Sequence, residues 1–329
     1  MQSKLNWQDK TILLTGGTGS FGQAFTKTII KKKPKHLRIF DCDEFAQFEM
    51  IKNFKSKGVS YLLGRVEDKN RLLRAMENVD IVVHAAALKQ VPILEYNPFE
   101  AVKTNILGSQ AVIDCALDLG VKKVMLISSD KAVSPINLYG ATKMVAEKIF
   151  VQANSYAAGK NTCLSVVRYG NVMASRGSVV PTFLEQAKKG LLTVTDERMT
   201  RFWITLEQGV NFVIKSLEAM SGGEIFVPKI PSVKIMDVAR AVAPKAKIKI
   251  VGLRPGEKMH EVLISLDEAR HTLDFGDYFV VVPEFVSWGK VDYKNTAKDL
   301  DEDFSYSSDN NNTWLNIGEI RKLVSQLDK

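Results

Sequence analysis

A tyrosine and a lysine four positions apart, Tyr139 and Lys143, are the residues whose types and spacing most directly suggest chemistry. On a helix this spacing places both side chains on one face. A nearby ammonium group favours the phenolate, so Tyr139 could act as a base near neutral pH. Upstream, Ser129, Asp130 and Lys131 add a hydroxyl, an acid and a second candidate base. A carboxylate beside an amine predicts proton transfers beyond a simple hydride transfer, although a surface ion pair or a turn would use the same residues.

A glycine-rich loop directly follows the first apolar run, Thr11–Thr15. The spacing of Gly16, Gly19 and Gly22 suits a dinucleotide. The first glycine permits a tight turn, the second lets the backbone approach a pyrophosphate, and the third lets helix and strand pack closely. The alternative is that the glycines serve a tight turn alone. The residues predicted to contact the dinucleotide here are Gly16, Thr18, Gly19, Ser20, Phe21 and Gly22.

Asp41 ends the second predicted strand, where an acid can accept hydrogen bonds from both ribose hydroxyls of NAD. The same carboxylate would repel the 2′-phosphate of NADP. The alternative role is a helix N-cap, which the neighbouring Asp43 suits better. The sequence therefore predicts NAD(P) as cofactor, with NAD favoured by Asp41.

The elements that must position these residues alternate between short apolar runs and longer amphipathic stretches. This pattern is typical of a parallel sheet covered by helices on both faces, and it predicts an α/β fold with a Rossmann-like doubly wound parallel sheet. Ser129 follows the fifth predicted strand, at the carboxyl edge where such sheets bind ligands. The predicted strands are Thr11–Thr15, Leu37–Phe40, Tyr61–Leu63, Ile81–His84, Lys123–Ser128 and Cys163–Arg168, and the predicted helices include Glu44–Phe54, Lys69–Glu77, Pro98–Leu119 and Asn137–Tyr156.

After Asn171 the alternation becomes irregular, which predicts a smaller substrate-binding cap built on the sheet. We assign residues 1–172 to the dinucleotide-binding domain and expect 205–230, with a helix and a short strand, to return to it. Residues 173–204 and 231–329 are expected to form the irregular C-terminal cap and a polar tail.

Composition narrows the class of protein. With 329 residues, 45% hydrophobic and 25% charged, the chain is typical of a globular protein rather than a disordered one. The 3 cysteines are far apart and no apolar run could span a bilayer, so we expect a cytoplasmic protein without disulfides or membrane contact. The 4 histidines lack metal-ligand spacing, so no metal is expected. The formal charge of +8 could attract nucleic acid, but the densest basic run, 31–35, suits a solvated turn and no nucleic-acid partner is expected.

The glycine motif together with Tyr139 and Lys143 resembles the short-chain dehydrogenase/reductase superfamily, in its extended form that acts on nucleotide sugars. Over nearly its whole length the chain is similar to the inverting (5-epimerising) UDP-N-acetylglucosamine 4,6-dehydratases of pseudaminic acid synthesis. Membrane-anchored retaining relatives have a different residue in place of Tyr139, so this tyrosine indicates the inverting type. The segments that carry the resemblance are Ala85–Lys89, Asp130–Ala132, Pro135–Lys143, Arg168–Val172, Arg176–Pro181, Arg198–Trp203, Gly223–Lys229, Arg254–Lys258 and Tyr306–Trp314.

The resemblance implies a lyase reaction in which bound NAD(P) is regenerated in each turnover. Tyr139 would take the C4 hydroxyl proton as hydride leaves C4, Lys131 would remove the C5 proton, and Asp130 would protonate the departing C6 hydroxyl. Hydride return to C6 and reprotonation of C5 from the opposite face would give UDP-2-acetamido-2,6-dideoxy-β-L-arabino-hex-4-ulose. Lys131 must be neutral to act as a base; a neighbouring carboxylate would raise its pKa, whereas burial would lower it.

The resemblance also implies the ligand contacts and the partners. Each contact could instead be a surface or loop-bracing residue. The protein is expected to be a homo-oligomer, with a hexamer as one arrangement, and its product is expected to serve flagellin glycosylation or surface polysaccharide biosynthesis. The further residues implied for the dinucleotide are Ala85, Ala86 and Lys89, and those implied for UDP-N-acetylglucosamine are Lys89, Asn171, Arg176, Arg201, Arg254 and Glu257.

At the adenosine end the chain departs from the family, which has a Ser-Arg pair in place of Asp41 and Cys42. That arginine suits the 2′-phosphate of NADP, and here an acid replaces the pair's first residue. The family also has an aspartate in place of Arg65, which cannot accept a hydrogen bond from the adenine amino group.

Other functions remain open at this stage. A retaining 4,6-dehydratase or a C4-epimerase of UDP-sugars would share this fold, but a C4-epimerase does not need Asp130 and Lys131. A catalytically silent dinucleotide-binding scaffold is a remoter alternative, and it would be expected to lose the Tyr139 and Lys143 pair, which is intact here.

Overall fold

The structure, a computed structural model, describes residues 5–54, 56–173, 177–288 and 297–326. Its strands are β1 (Thr11–Thr15), β2 (His36–Asp41), β3 (Val59–Leu63), β4 (Ile81–His84), β5 (Lys123–Ile127), β6 (Cys163–Val167), β7 (Asn171–Val172), β8 (Leu191–Val194), β9 (Thr200–Ile204), β10 (Ile225–Pro228), β11 (Ser232–Lys234), β12 (Lys247–Ile250), β13 (Val262–Ile264), β14 (Thr272–Asp274), β15 (Tyr278–Val281), β16 (Lys298–Asp299) and β17 (Tyr306–Ser307). Its α-helices are α1 (Ser20–Ile29), α2 (Glu44–Asn53), α3 (Lys69–Met76), α4 (Val91–Tyr96), α5 (Pro98–Ala101), α6 (Gly108–Leu119), α7 (Leu138–Gln152), α8 (Val179–Ala187), α9 (Leu206–Ala219), α10 (Ile235–Val242), α11 (Leu266–Ala269) and α12 (Ile317–Ser325).

The main sheet has the strand order β16-β14-β15-β10-β6-β5-β4-β1-β2-β3. Neighbouring strands from β3 to β10 are parallel; Leu13 of β1, for example, pairs with Arg38 on one side and Val82 on the other. α1 packs against α9, while α6 packs against α3 and α7. Every residue of β1 and β4 is buried, as expected for parallel strands between helix layers. The prediction of a doubly wound parallel sheet is confirmed.

The sheet creates a ligand crevice where β1 ends between β2 and β4. The strand order reverses there, and open α/β sheets bind ligands at such a point. Thr15 Oγ1 lies 2.7 Å from His84 Nδ1, and the Ala86 N–H donates to Thr15 Oγ1 at 3.3 Å. Burial lowers the pKa of His84 to about 3, so the imidazole is a neutral core group. These bonds hold the two loops that leave β1 and β4 side by side.

Three strands from the region expected to form the cap instead extend the main sheet. β15 pairs antiparallel with β10, β14 with β15, and β16 with β14. These pairings correct the expected boundary, because residues 272–281 and 298–299 belong to the sheet. The added strands cover the backbone edge of β10, which would otherwise stay unpaired. Each has four residues or fewer, too short for the alternation of the sequence to indicate.

The cap has a hydrophobic core of its own, next to the core of the main sheet. β9 joins the two cores, because Phe202 lies in the sheet core while the adjacent Trp203 lies in the cap core. β9 also pairs with β7, which places Asn171 opposite Trp203. The cap core includes Val180, Phe183, Leu192, Val194, Trp203, Val238, Ile320 and Val324.

Two predicted helices differ from the structure in detail. The helix predicted over Pro98–Leu119 contains a π-helical segment, Val102–Leu107, between α5 and α6. Such segments insert a wider turn and are frequent at functional sites. The helix predicted over Asn137–Tyr156 is α7, which ends at Gln152 and continues as a single 3₁₀ turn. Within the described ranges, no helix is both long enough and apolar enough to cross a bilayer.

Candidate active site

The glycine-rich loop borders a cleft of about 680 Å³ at the carboxyl ends of β1, β4 and β5. Gly16 has φ +67°, and a Cβ at this position would lie 2.6 Å from the Ala86 nitrogen. A Cβ on Gly22 would collide with the carbonyl oxygen of Gly17, so Gly22 permits close packing behind the loop. Gly19 is the N-cap of α1, and a helix N-terminus of this kind suits a phosphate group.

Asp41 closes the glycine-rich loop from the end of β2. Its Oδ2 accepts from the Thr18 N–H at 3.0 Å and from Thr18 Oγ1 at 2.7 Å, while Oδ1 accepts from the Asp43 N–H at 3.2 Å. The carboxylate is therefore held in one orientation at the cleft. Cys42 and Arg65 line the same end of the cleft. Asp43 serves as the N-cap of α2, as the sequence indicated.

The loop after β4 is held by Asn105 from the π-helical segment. Asn105 accepts from the Leu88 N–H at 2.8 Å and donates to the Leu88 carbonyl at 2.9 Å and to Thr142 Oγ1 at 3.0 Å. The wider helical turn thus ties the loop to α7. Gly22 lies behind the cleft, and the other predicted cofactor residues line it: Gly16, Thr18, Gly19, Ser20, Phe21, Asp41, Ala85, Ala86, Lys89, Tyr139 and Lys143.

Ser129, Asp130 and Lys131 lie together on the turn that follows β5. Ser129 Oγ donates to Asp130 Oδ1 at 2.7 Å and accepts from the Lys131 N–H at 3.3 Å. Gly140 of α7 packs directly on this turn, because a Cβ there would collide with the Lys131 carbonyl oxygen. The glycine next to Tyr139 therefore lets α7 bring the tyrosine to the acid and the amine.

Lys131 lies between two carboxylates. Its Nζ is 3.1 Å from Asp130 Oδ1 and 2.9 Å from Glu261 Oε1. Burial opposes the charged amine, but Asp130 and Glu261 outweigh it and raise the pKa of Lys131. The two adjacent acids thus favour the ammonium form of Lys131.

Asp130 has the properties of a proton donor. Its side chain is buried, and burial raises its pKa, with Lys131 opposing and Glu261 reinforcing that shift. Its Oδ2 has no hydrogen-bond partner among the described residues. Burial thus favours the protonated carboxyl group, which is the form that can protonate a leaving hydroxyl.

Tyr139 and Lys143 lie on the cleft side of α7. Lys143 Nζ donates to the Ile127 carbonyl at 2.6 Å, and burial lowers its pKa to about 8. Burial raises the pKa of Tyr139, and the strongest opposing influence is the Lys131 ammonium. The Lys131 ammonium thus favours the Tyr139 phenolate, and the same effect expected of Lys143 from its spacing stays a prediction.

A second cleft, of about 330 Å³, opens from the first toward the cap. Lys131 and Asn171 line both clefts. The Asn137 side chain donates to the Gly256 carbonyl at 2.8 Å and so ties the start of α7 to a loop of the cap. Arg176 lies outside the described residues. The predicted substrate residues that line this second cleft are Lys89, Asn171, Arg201, Arg254 and Glu257.

Arg201 stabilises the cap loop that contains Lys258 and Met259. It does so with the same guanidinium N–H groups that were predicted to bind the substrate. Its guanidinium donates to the carbonyls of Thr200 at 2.7 Å, Met259 at 3.0 Å and Lys258 at 3.0 Å. Arg201 Nε also lies 3.6 Å from Glu261 Oε1. It therefore holds the backbone and the carboxylate beside Lys131.

Unpaired polar atoms along the two clefts indicate ligands. Buried polar groups are normally hydrogen-bonded, so a cluster without partners marks a place where a bound molecule supplies them. Most of the atoms are carboxylate or amide oxygens, which accept from sugar or ribose hydroxyls. The lining atoms without a partner among the described residues are Ser128 Oγ, Asp130 Oδ2, Asn171 Oδ1, Ser178 Oγ, Glu257 Oε2 and Glu261 Oε2.

Sequence reasoning missed Glu261, Asn105 and Asn137. Glu261 directly precedes β13 and follows the Arg254–Lys258 segment, and an acid at that point could have been examined as a partner for Lys131. Asn137 could have been identified from the sequence, because an Asn just before a predicted helix indicates an N-cap. The role of Asn105 depends on a π-helical turn that the amino-acid pattern did not indicate.

Comparisons with known proteins confirm the resemblance. A relative from Campylobacter jejuni subsp. jejuni, UDP-N-acetylglucosamine 4,6-dehydratase (inverting), is 49% identical over 328 residues, which cover 97% of this chain and 98% of the relative. A UDP-glucose 4-epimerase from Rickettsia akari is 40% identical over 332 residues, covering 97% of this chain and 96% of the relative. The X-ray structure of Pen from Bacillus thuringiensis has a TM-score of 0.91 at 38% identity, with 98% of this chain and 99% of that chain covered. A family model described as polysaccharide biosynthesis protein matches residues 12–283, and the chain therefore belongs to this family.

Proposed function

We propose that the protein is a UDP-N-acetylglucosamine 4,6-dehydratase that inverts C5 and releases UDP-2-acetamido-2,6-dideoxy-β-L-arabino-hex-4-ulose. The observation that carries the proposal is the position of Asp130 and Lys131 beside Tyr139, where the two clefts meet. Oxidation at one carbon needs a single proton acceptor, whereas elimination of water needs a further base and a further acid. In this proposal Tyr139, Lys131 and Asp130 are these three groups.

Each of the three groups has one task in the proposed reaction. Tyr139 accepts the proton of the C4 hydroxyl. Lys131, once it has lost its own proton, removes the C5 proton, which the new 4-keto group acidifies. Asp130, whose pKa is raised by burial, gives its proton to the departing C6 hydroxyl. A proton from solvent then adds to C5 from the opposite face and inverts that centre, and Tyr139 returns the C4 proton to solvent.

The cofactor in this proposal is NAD(P), and the residues present fit it. The Gly16 turn leaves no room for a side chain, the start of α1 suits a pyrophosphate, and Asp41, held by Thr18, lines the cleft at the end of β2. A nicotinamide bound by these residues would supply the hydride acceptor for C4 and the hydride donor for C6. We infer a preference for NAD, because a carboxylate fixed by Thr18 would repel a 2′-phosphate. Mass spectrometry of the cofactor released from purified protein tests this, and NADP as the dominant species would refute it.

The decisive experiment is incubation of UDP-N-acetylglucosamine with the protein in deuterated water, followed by NMR of the product. The expected product is a 4-keto-6-deoxy sugar that carries deuterium at C5 and has the L configuration. Recovery of the D-configured ketone would instead establish a retaining dehydratase. Recovery of UDP-N-acetylgalactosamine alone would establish a C4-epimerase.

A C4-epimerase is the second candidate, since one relative with 40% identity has that name. Epimerisation at C4 uses Tyr139 and the nicotinamide but leaves Asp130 and Lys131 without a task. The direct contact between them beside the cleft favours the dehydratase.

The assembly and the cellular role are further parts of the proposal. Exposed apolar side chains on α4 and α5, Ile93, Tyr96 and Phe99, support a homo-oligomer, which light scattering can measure. The cysteines are unpaired, as is usual in the reducing cytoplasm, where we propose that the protein acts. Its product would begin pseudaminic acid synthesis.

A further inference from the structure

The amine of Lys131 faces the cleft, whereas the carboxylates on either side of it are withdrawn from solvent. The side chain of Lys131 is 25% exposed, and those of Asp130 and Glu261 are 1% and 2% exposed. Nζ makes contacts of similar length with both carboxylates, 3.1 Å and 2.9 Å. A sugar in the cleft would therefore meet the amine first, with Glu261 behind it.

This arrangement creates a difficulty for the proposed reaction. A base at Lys131 has to be a neutral amine, but Asp130 whenever it is ionised, and the Glu261 carboxylate, stabilise its ammonium form against burial. The proton on Nζ must move to a neighbour before the amine can receive another from C5. A neighbour that can accept it has to be in direct contact with Nζ.

Glu261 is the neighbour that remains when the others are assigned. Arg201 and Lys258 are cations and do not accept a proton. Tyr139 receives the C4 proton, and Asp130 needs its own proton for the C6 hydroxyl. The titratable and charged groups around Nζ, within the described part of the chain, are Asp130, Tyr139, Arg201, Lys258 and Glu261.

The C-terminal tail fixes Glu261 in this position. The Glu261 N–H donates to Ser308 Oγ at 2.9 Å, and the Ser308 N–H donates to the Glu261 carbonyl at 2.8 Å. Ser308 Oγ lies 2.7 Å from Thr200 Oγ1, which anchors it to the cap. Glu261 Oε2 has no partner among the described residues, so this oxygen is available to take a proton. Burial raises the pKa of Glu261, but Lys131 and Arg201 outweigh burial and lower that pKa, so the proton rests on Lys131 before the reaction.

We propose that Glu261 is the positioning residue that accepts the Lys131 proton and thereby makes the amine the base for C5; this inference rests on the proposed dehydratase function. One proton passes from Nζ to the Glu261 carboxylate, and the neutral amine then takes the C5 proton. The C5–H electron pair becomes the second bond between C5 and C6 as the C6–O bond breaks. Asp130 gives its proton to the leaving hydroxide, and water departs. The pair Lys131–Glu261 has then gained the one proton that Asp130 has lost, and their direct contact lets Asp130 recover it.

The test compares Glu261→Gln with the unaltered enzyme in deuterated water. Gln keeps the size of the side chain and an oxygen for Lys131, but it cannot accept the proton. We expect C5 deuterium incorporation and water elimination to fall about 100-fold or more, the usual contribution of an acid–base group. Reduction of the nicotinamide on mixing with substrate, followed by absorbance, should stay within about threefold, because C4 oxidation does not use this proton.

Two further measurements separate proton transfer from a structural role. The residual C5 exchange of Glu261→Gln should rise about tenfold per pH unit above neutral pH, since the amine must then lose its proton to solvent. Glu261→Asp, which can accept a proton, should recover part of the exchange. Glu257→Gln, on the same loop, should raise KM and leave the ratio of exchange to turnover unchanged.

Different results overturn different statements. If unaltered enzyme gives no 4-keto-6-deoxy sugar, the proposed function fails. If unaltered enzyme forms this product and Glu261→Gln exchanges the C5 proton at a similar rate, Glu261 does not accept the Lys131 proton. An equal loss of cofactor reduction and C5 exchange, together with a lowered melting temperature, would make its role purely structural and overturn the inference.

Discussion

Asn137 donates from Nδ2 to the carbonyl of Gly256 at 2.8 Å, while its Oδ1 accepts from the Gly140 N–H at 2.8 Å. One side chain thus caps the helix that carries Tyr139 and ties that helix to the substrate loop of the cap. Gly256 has φ +74°, and a Cβ there would lie 3.1 Å from Asn137 Cβ, so the loop approaches the helix closely. The relative position of the chemical groups and the sugar therefore depends on this contact.

Two substitutions at Asn137 should separate its two contacts. Asn137→Ala loses both, and we expect a loss of about 1 kcal/mol in the free energy of unfolding, the usual cost of an N-cap. Asn137→Ser keeps a capping oxygen but is too short to reach Gly256. It should retain stability and raise KM about fivefold, the equivalent of one hydrogen bond. Urea denaturation and steady-state kinetics measure the two effects, and equal stability loss in both variants would contradict this division.

Removal of the Tyr139 hydroxyl should stop the first step. Tyr139→Phe keeps the ring but has no oxygen to accept the C4 proton, so kcat should fall about 10²-fold to 10⁴-fold. Calorimetric binding of the UDP-sugar should change little, because the ring still fills the same space. Nicotinamide reduction on mixing should fall together with kcat. Reduction at the normal rate would show that another group takes the C4 proton.

Lys131 and Asp130 should affect different steps. Lys131→Ala should lose C5 deuterium exchange about 100-fold or more, because the base is gone. It should slow nicotinamide reduction less, because for that step it removes only a cation that favours the Tyr139 phenolate. Asp130→Asn should retain C5 exchange better than water elimination, because it lacks the proton for the C6 hydroxyl. NMR of the substrate pool and of the product measures exchange and elimination in one sample. If C5 exchange in Lys131→Ala equals that of the unaltered enzyme, Lys131 is not the base.

The parallel half of the fold could be predicted because its strands are buried on both faces and read as continuous apolar runs. β1 and β4 are examples, with every residue buried. The antiparallel strands β14, β15 and β16 could not be predicted in the same way, since they are short and their role is to cover the edge of β10. Their place depends on a neighbour that is distant in sequence.

The candidate site likewise contains residues that local patterns predict and residues that only long-range contacts place. Tyr139, Lys143 and the glycine loop are local patterns, so their spacing alone indicated their positions. Glu261 reaches Lys131 across 130 residues of chain, and no local pattern indicates that contact. Arg201 was assigned to the substrate from its motif, but the structure directs its donors to backbone carbonyls.

Arg201→Lys provides a test of that bracing role. Lysine keeps the charge, but a single ammonium cannot serve three carbonyls in the geometry of a guanidinium. We expect a loss of about 1 to 3 kcal/mol in the free energy of unfolding, because buried carbonyls lose their donors. Arg254→Lys is the matched control, since Arg254 is exposed on the same cleft and should affect KM without affecting stability. A variant Arg201→Lys with normal stability and only a raised KM would restore the substrate role.

Lys143 should make stability depend on pH in the alkaline range. Burial lowers its pKa from 10.5 to about 8, so between these values the unfolded chain binds a proton that the folded chain has lost. Stability rises with pH wherever the unfolded state binds more protons, so this residue adds stability as pH increases from about 8 to about 10.5. The full effect is on the order of 3 kcal/mol, which is the charging cost that the folded protein bears below the lower pKa. Lys143→Met has no charge to lose, and the difference between the two unfolding free energies should change over this range. A constant difference from pH 7 to pH 10 would mean that Lys143 stays charged in the folded protein.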